Sequence, residues 1–536
     1  MTDQGREWWR DAVIYQIYPR SFQDDNGDGV GDLPGITRRL QHVADLGVDA
    51  IWLSPFFTSP QKDMGYDVSD YCDVDPLFGS LEDFDALIAE AHRLGLKVII
   101  DQVLSHTSDK HPWFEESRAS RDNDKADWYV WADVNADGSP PNNWPSVFGG
   151  PAWEFEPRRG QYYLHNFLIE QPDLNFHNPA VQDAILETCK FWLDRGVDGF
   201  RLDTVNYYFH DARLRSNPPA QRDDIPNEIY AMQDHLFSKT QPENIAFLKK
   251  LRALTDQYDD RMMVGEVGED GAKSIQIMGD YTAGSDRLHM AYSFAMLSPN
   301  FSVDHMRTCI EGFQKGAPDG HPSWSFSNHD VQRHVSRWAD HAVSSDAIAR
   351  QACAMLMSFE GTIGIYQGEE LGQTEAELVY EELTDPPAIR FWPGVKGRDG
   401  CRTPMVWEKD AAHAGFSGVQ PWLPVKPAQA QNAVDTQGEG SVLEFYKEAI
   451  AFRKGSSALR YGSTKFHDAG PTVLAFTRAS DDQMLTCLFN MNVEQKTVAL
   501  GGTAEIVGPH AATLDSQTLI LPGNGFVYLQ HDGTLF

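Results

Sequence analysis

The sequence predicts a (β/α)8 barrel with two additions: a loop-rich insertion after the third strand and a C-terminal antiparallel β domain. Three observations predict it. Short apolar runs alternate with amphipathic segments eight times before residue 370. The alternation breaks once, across a stretch rich in Asp, Asn, Pro, Gly and Trp after Val103. Beyond residue 460 the runs become short and alternating, separated by Gly, Asp and Asn. At 536 residues the chain is long enough for a barrel of roughly 250 residues and both additions.

The elements follow in order. AVIYQIYPRSF (12–22) reads as the first strand, and LPGITRRLQHVADLG (33–47) as a helix closed by Gly47. DAIWLSP (49–55), the helical LEDFDALIAEAHRLG (81–95) and the apolar LKVIIDQV (96–103) complete two more units. The pattern resumes with the helix NPAVQDAILETCKFWLDRG (178–196) and the strand VDGFRLDTV (197–205). Strands then follow at RMMVGEV (261–267), RLHMAYSF (287–294), HPSWSFSNHD (321–330) and TIGIYQG (362–368). Such unbroken apolar runs are typical of buried parallel strands. TVLAFTR, MLTCLFNMN, TVAL and GFVYLQH form the final β domain. The expected division is a barrel from 1–103 and 174–460, an inserted domain from 104–173 and a C-terminal domain from 461–536.

Composition narrows the function classes. A net charge of −33 repels phosphate backbones and anionic bilayers, which disfavours nucleic-acid and membrane partners. No run of 18 apolar residues occurs, and MTDQGREWWRDAV lacks the apolar core of a secretory signal, so a cytoplasmic protein is expected. The six cysteines lack CxxC spacing and read as reduced, mostly buried thiols.

In a (β/α)8 barrel the chemistry sits at the C-terminal ends of the strands. Polar residues gather there: Asp101 and His106 after the third strand, Arg201 and Asp203 on the fourth, Glu266 on the fifth, His329 and Asp330 after the seventh. A lone acid at a strand end is commonly a helix cap, but this many converging on one mouth point to catalysis. Arg201 and Asp203, two apart on a strand, share a face, and the cation is expected to hold Asp203 ionised as a nucleophile requires. Glu266 lies among Met262, Met263, Val264 and Val267, where burial would raise its pKa and suit it to donate a proton. A protonated and an ionised carboxyl across one bond is the apparatus of glycoside hydrolysis, retaining when they stand about 5 Å apart.

These residues carry a family resemblance. DQVLSH (101–106), GFRLDTVN (199–206), GEV (265–267) and FSNHD (326–330) resemble, in order, the four conserved regions of the α-amylase superfamily, glycoside hydrolase family thirteen. QPDLN (171–175), GYDVSDY (65–71) and RTPMVW (402–407) resemble its α-glucosidase and oligo-1,6-glucosidase group. The resemblance implies Asp203 as nucleophile, Glu266 as acid/base and Asp330 as the acid that stabilises the distorted sugar. It implies that Arg201, His106 and His329 hydrogen-bond that sugar, that Asp63 and Tyr66 clamp its non-reducing end, and that Arg398 is a second clamp, with Arg402 the competing candidate. Met64 stands where many relatives have Asn, so the contact beside Asp63 differs. Phe148 and Phe167 are candidate apolar walls.

The stretch Asp24-Asp25-Asn26-Gly27-Asp28-Gly29-Val30-Gly31-Asp32 alternates oxygen-bearing side chains with glycine, a pattern suited to a hard cation. By resemblance, Asp24, Asn26, Asp28, the Val30 carbonyl and Asp32 would hold structural calcium, or magnesium; no organic cofactor is expected. Thr204, following the nucleophile, resembles enzymes preferring α-1,4 bonds, whereas Val resembles those preferring α-1,6. The expectation is therefore a monomer or homodimer that releases terminal glucose from short maltose-like α-glucosides, with transglucosylation as a side activity. An oligo-1,6-glucosidase or a sucrose- or trehalose-acting transglucosylase of the same fold is the alternative. A non-catalytic transporter-chain relative would carry a membrane span and lose the acids, and a metal-assisted hydrolase would need a His and carboxylate cluster that no motif supplies.

Overall fold

Eight strands, each parallel to its neighbours, form the central sheet of the computed structural model, which describes residues 7–222, 224–269 and 271–536. They are β1 (Val13–Ile17), β2 (Ala50–Leu53), β3 (Lys97–Gln102), β4 (Gly199–Leu202), β5 (Met262–Val267), β6 (Met290–Ser293), β7 (Ser323–Ser325) and β8 (Thr362–Tyr366). The hydrogen-bonded order is β6-β5-β4-β3-β2-β1-β8-β7, and a parallel bridge from Ala291 to Pro322 closes the ring between β6 and β7. The (β/α)8 barrel read from the alternating runs is the fold observed.

Strand alternation sorts the barrel side chains into two cores. Ile14, Trp52, Ile99, Val264 and Tyr292 face inward and pack together with Trp9, Met262 and Met290. Their strand neighbours Val13, Ile51, Val98, Ile100 and Met263 face outward into the larger core shared with the helices. The same parity carries the chemistry: Asp101 follows Ile99 by two residues and Glu266 follows Val264 by two, so both project from the inward face at the upper rim.

Local sequence sets the helices of the repeating unit. Asp32, Ser80 and Asn178 cap the helices Leu33–Asp45, Leu81–Arg93 and Pro179–Asp194 through side-chain oxygens accepting backbone N–H groups. Each helix is followed by a glycine in the left-handed region, Gly47 at φ 84°, Gly95 at 80° and Gly196 at 98°, which turns the chain back into the next strand.

Between β3 and the helix beginning at Pro179, a three-stranded antiparallel sheet is built from Trp131–Asp133, Trp153–Glu156 and Gln161–Leu164. It is tied to the long loop after β4: Asn143 donates to the Asn217 carbonyl at 2.9 Å and Trp144 to that of Arg215 at 2.9 Å. The C-terminal region forms a five-stranded and a three-stranded sheet, both antiparallel. It docks on the helix Ser345–Ser358, where Tyr528 donates to the Ala354 carbonyl and Arg478 to that of Ser358, each at 2.6 Å. All six cysteines are free thiols; five are buried and Cys72 is half-buried. Among the described residues no helix is long and apolar enough to cross a membrane.

Candidate active site

Arg201 is the hub. Its side chain is fully buried, and β4 aligns it with Asp101 on β3 and Val264 on β5. Nη1 donates to Asp101 Oδ1 and to Asp203 Oδ1, both at 2.8 Å, while Nη2 lies 2.7 Å from Glu266 Oε2. Nε and Nη2 also donate to the Tyr292 hydroxyl, which in turn donates to Glu266 Oε1 at 3.1 Å. One guanidinium thus spans Asp203 and Glu266.

The chain turns sharply above this hub. Thr204 donates its backbone N–H to Glu266 Oε2 and its hydroxyl to Asp203 Oδ2, each at 3.1 Å. Three carboxyls share a single cation here. Burial pushes Asp101 up to about 6, Asp203 to about 7 and Glu266 to about 8, with Arg201 opposing each rise. The sequence expectation that Arg201 holds Asp203 ionised is thereby corrected: its charge is divided among three acids, and burial outweighs it at Asp203. The ordering survives: Glu266 holds its proton most tightly, and Asp203 ionises before it.

Asp330 closes the opposite side. Burial works against its ionisation, yet the permanent charges of Arg398 and Arg402 beside it hold it below the ordinary carboxylate range. Arg398 reaches it at 3.2 Å and Arg402 at 3.0 Å. The two arginines differ in access. Arg402 is fully buried and also donates to the His329 carbonyl, whereas Arg398 faces the cavity and pairs with Asp63 at 3.0 Å. Asp385, itself buried, anchors Arg398 at 2.7 Å.

Asp63, Tyr66, His106, Phe148, Phe167, Asp203, Thr204, Glu266, Asp330 and Arg398 come together around one cavity of about 180 Å³. Tyr66 donates to Asp101 Oδ2 at 3.2 Å and its hydroxyl lies 2.5 Å from His329 Nε2. Gln16 lies 2.7 Å from the other ring nitrogen of His329, which burial keeps neutral. His106 is also kept neutral by burial, at about 4, with Nε2 3.0 Å from the Tyr66 carbonyl and Nδ1 2.8 Å from the Ser105 hydroxyl. Phe148 lies under the Arg398 guanidinium at 5.2 Å, and Phe167 packs 5.3 Å from His106. A second, larger cavity of about 620 Å³ adjoins this one.

The family model of the alpha amylase catalytic domain matches residues 16–462, which run from within β1 through the rest of the barrel and include every residue of this site. The chain belongs to the α-amylase family. It is 56% identical over 510 residues to a probable alpha-glucosidase of Rhizobium meliloti (strain 1021), covering 93% of this chain and 92% of the relative. It is 37% identical to an oligo-1,6-glucosidase of Parageobacillus thermoglucosidasius, with 91% of each covered. Among solved structures, the alpha-glucosyl transfer enzyme XgtA superposes with a TM-score of 0.95 at 51% identity, over 98% of this chain and 100% of that one.

Other residues of this α-amylase family site had weak or no sequence signal. Tyr292 could have been found, since it shares inward parity with Met290 on β6. Asp385 had none, and Gln171 was marked only as the first residue of a motif, with no role. Gln171, inside the quoted QPDLN motif, donates to Asp63 Oδ2 at 3.1 Å and lies 3.2 Å from His106 Nε2, so it orients two cavity residues.

The glycine-rich loop lies apart from the cavity. Asp24 accepts the N–H groups of Gly27 and Gly29 and the Ser417 hydroxyl, Asn26 that of Asp28, and Asp28 that of Val30. Asp32 accepts from Asp25 and Asn26 with one oxygen and from Gly35 with the other. The donor set is all oxygen, as a hard cation requires. Among the described residues no three His, Cys, Asp or Glu side chains are gathered in ligating geometry.

Proposed function

We propose that this protein is a retaining, exo-acting α-glucosidase that releases terminal glucose from short α-glucosides, chiefly α-1,4-linked, and transfers glucose to alcohols as a second outcome. One observation carries this reading. A single guanidinium spans Asp203 and Glu266, and Asp330 shares their cavity, which the Asp63–Arg398 pair narrows to the scale of one sugar.

In the proposed reaction Glu266 gives its proton to the glycosidic oxygen while Asp203 attacks the anomeric carbon. The C–O bond to the aglycone breaks and a glucosyl ester forms on Asp203. Glu266, now a carboxylate, takes a proton from water as the water oxygen displaces Asp203. Two inversions give net retention. An alcohol in place of the water gives transfer. Asp330, ionised throughout, balances positive charge developing on the ring. Tyr66 and His106 wall in the sugar, while Arg201 and His329, fully buried behind that lining, hold the acids and Tyr66 in place. Asp63 and Arg398 clamp the sugar's far end, and Phe148 and Phe167 exclude water.

The relatives support both outcomes, since one is named a probable alpha-glucosidase and another an alpha-glucosyl transfer enzyme. A relative named oligo-1,6-glucosidase favours the α-1,6 bond as a second reading, against which stands Thr204. Incubation with maltose, isomaltose, sucrose and trehalose, followed by NMR of the first product, tests all of this. α-Glucose released faster from maltose than from isomaltose is expected. β-Glucose as first product would overturn retention, and isomaltose cleaved as fast as maltose would overturn the linkage.

The loop from Asp24 to Asp32 is proposed to hold calcium, or magnesium, through Asp24, Asn26, Asp28, the Val30 carbonyl and Asp32, stiffening the first βα loop. Chelation is expected to lower the melting temperature. Activity lost with the melting temperature unmoved would refute that structural role.

A further inference from the structure

The larger cavity, about 620 Å³, continues outward from the glucose pocket and shares Val147, Phe148, Phe294, Asp330 and Arg398 with it. Whatever is bonded to the anomeric carbon of a bound glucose, leaving group or incoming alcohol, must extend into this vestibule. Three segments build its walls. Gly149 of the inserted region packs against Phe391, and Gly394 packs against the Asn227 side chain of the long loop after β4.

Its chemistry is uneven. Apolar surface comes from Phe148, Phe294, Trp392 and Val395. The charged residues are mostly neutralised: Arg398 is bound to Asp63, Asp330 and Asp385, and Lys396 pairs with Glu377 at 3.0 Å. Glu228 and Glu375 are the exceptions. Burial alone acts on Glu228 and raises it, with no ion partner among the described residues. Glu375 accepts the Arg333 backbone N–H at 2.9 Å but forms no ion pair within 4 Å, and burial pushes it up to about 7 against the more distant charges of Arg333 and Arg337. Two half-buried carboxyls that line one cavity without an ion pair within 4 Å favour a cation in that cavity and disfavour an anion.

We propose that the vestibule selects aglycones and acceptors by charge, taking apolar bodies that are neutral or carry an ammonium group and rejecting carboxylates and phosphates. Glu228 and Glu375 set that sign. The inference rests on the α-glucosidase reading and names the substrate class on its aglycone side.

The α-glucosides of 4-ethylphenol, tyramine and 4-hydroxyphenylacetate test it, because their phenols are close in shape and acidity and differ in charge. At low ionic strength kcat/KM is expected to be at least fivefold higher for the tyramine glucoside than for the carboxylate. That ratio should shrink in about 0.5 M NaCl, where charges are screened beyond a few Å. In Glu228→Gln/Glu375→Gln it should fall toward one. The single variant Glu228→Gln, at a half-buried loop position, should move it part of the way. A carboxylate cleaved as well as the ammonium compound overturns the proposal. So does a ratio unchanged in both variants, which would assign the preference to the overall charge of −33. If none of the three glucosides is cleaved by the wild-type enzyme, the glucosidase reading fails and the proposal falls with it.

Discussion

Thr204 is a β-branched residue in the left-handed region, at φ 36° and ψ 51°, a conformation that costs about 1–3 kcal/mol. The turn is held by its two bonds, N–H to Glu266 and hydroxyl to Asp203. The strained turn places one donor on each of the two carboxyls proposed to react. Its consequence is readable in the pH profile. kcat/KM is expected to rise toward pH 7 as Asp203 ionises and to fall above about 8 as Glu266 loses its proton. The Thr204 hydroxyl favours the ionised form of Asp203, so Thr204→Val should move the acidic limb to higher pH. Below that limb the loss in kcat/KM should be about tenfold, roughly the 1.5 kcal/mol of a hydrogen bond to a charged group. Thr204→Ser, which keeps the hydroxyl, should restore the wild-type limb. An acidic limb unmoved in Thr204→Val would show that this bond does not tune the nucleophile.

At the scale of elements, one residue serves two structures. Asp32 caps the helix Leu33–Asp45 by accepting from Gly35 at 2.7 Å, and its second oxygen gathers Asp25 and Asn26 at 3.1 Å each. A lost cap costs about 1 kcal/mol. Asp32→Ala also strips two N–H groups of the loop of their acceptor, so about 2–3 kcal/mol is expected from urea unfolding. A loss below about 0.5 kcal/mol would mean that loop and helix are held by something else. Such caps, the terminal glycines and the strand parity are written in adjacent residues, which is why the barrel and the inward acids Asp101, Asp203 and Glu266 could be read from sequence. The rest of the site joins distant segments. Arg398 meets Asp63 across 335 positions, and Gln171 meets Asp63 across 108. No local period encodes such a meeting, so Asp385, Gln171 and the choice between Arg398 and Arg402 became legible only once the barrel had closed.

Across the whole molecule, buried titratable groups set how stability follows pH, and two sets oppose each other. Burial lowers His106, His111, His165 and His235 to about 4 and His210, His289 and His334 to about 3. Unfolded, they titrate near 6.5. Between about pH 4 and 6.5 the unfolded chain therefore binds more protons at these rings, and they make stability rise with pH. Burial raises Asp173, Asp203 and Glu375 to about 7, and Glu266 and Glu369 to about 8. Unfolded, these titrate near 4. From about pH 4 upward the folded state holds protons that the unfolded chain has released, so they make stability fall as pH rises through 7 and 8. Below about 6.5 the two sets nearly cancel; above it the histidines fall silent and the carboxyls act alone. The added negative charge on a chain already at −33 acts in the same direction. The melting temperature is thus expected to peak near pH 6 to 6.5 and to decline steadily to pH 8.5. Glu369→Gln, which removes a buried carboxyl outside the catalytic cavity, should flatten part of that decline. A melting temperature that climbs between pH 6.5 and 8.5 would contradict the carboxyl assignment, and a decline untouched in Glu369→Gln would remove Glu369 from it.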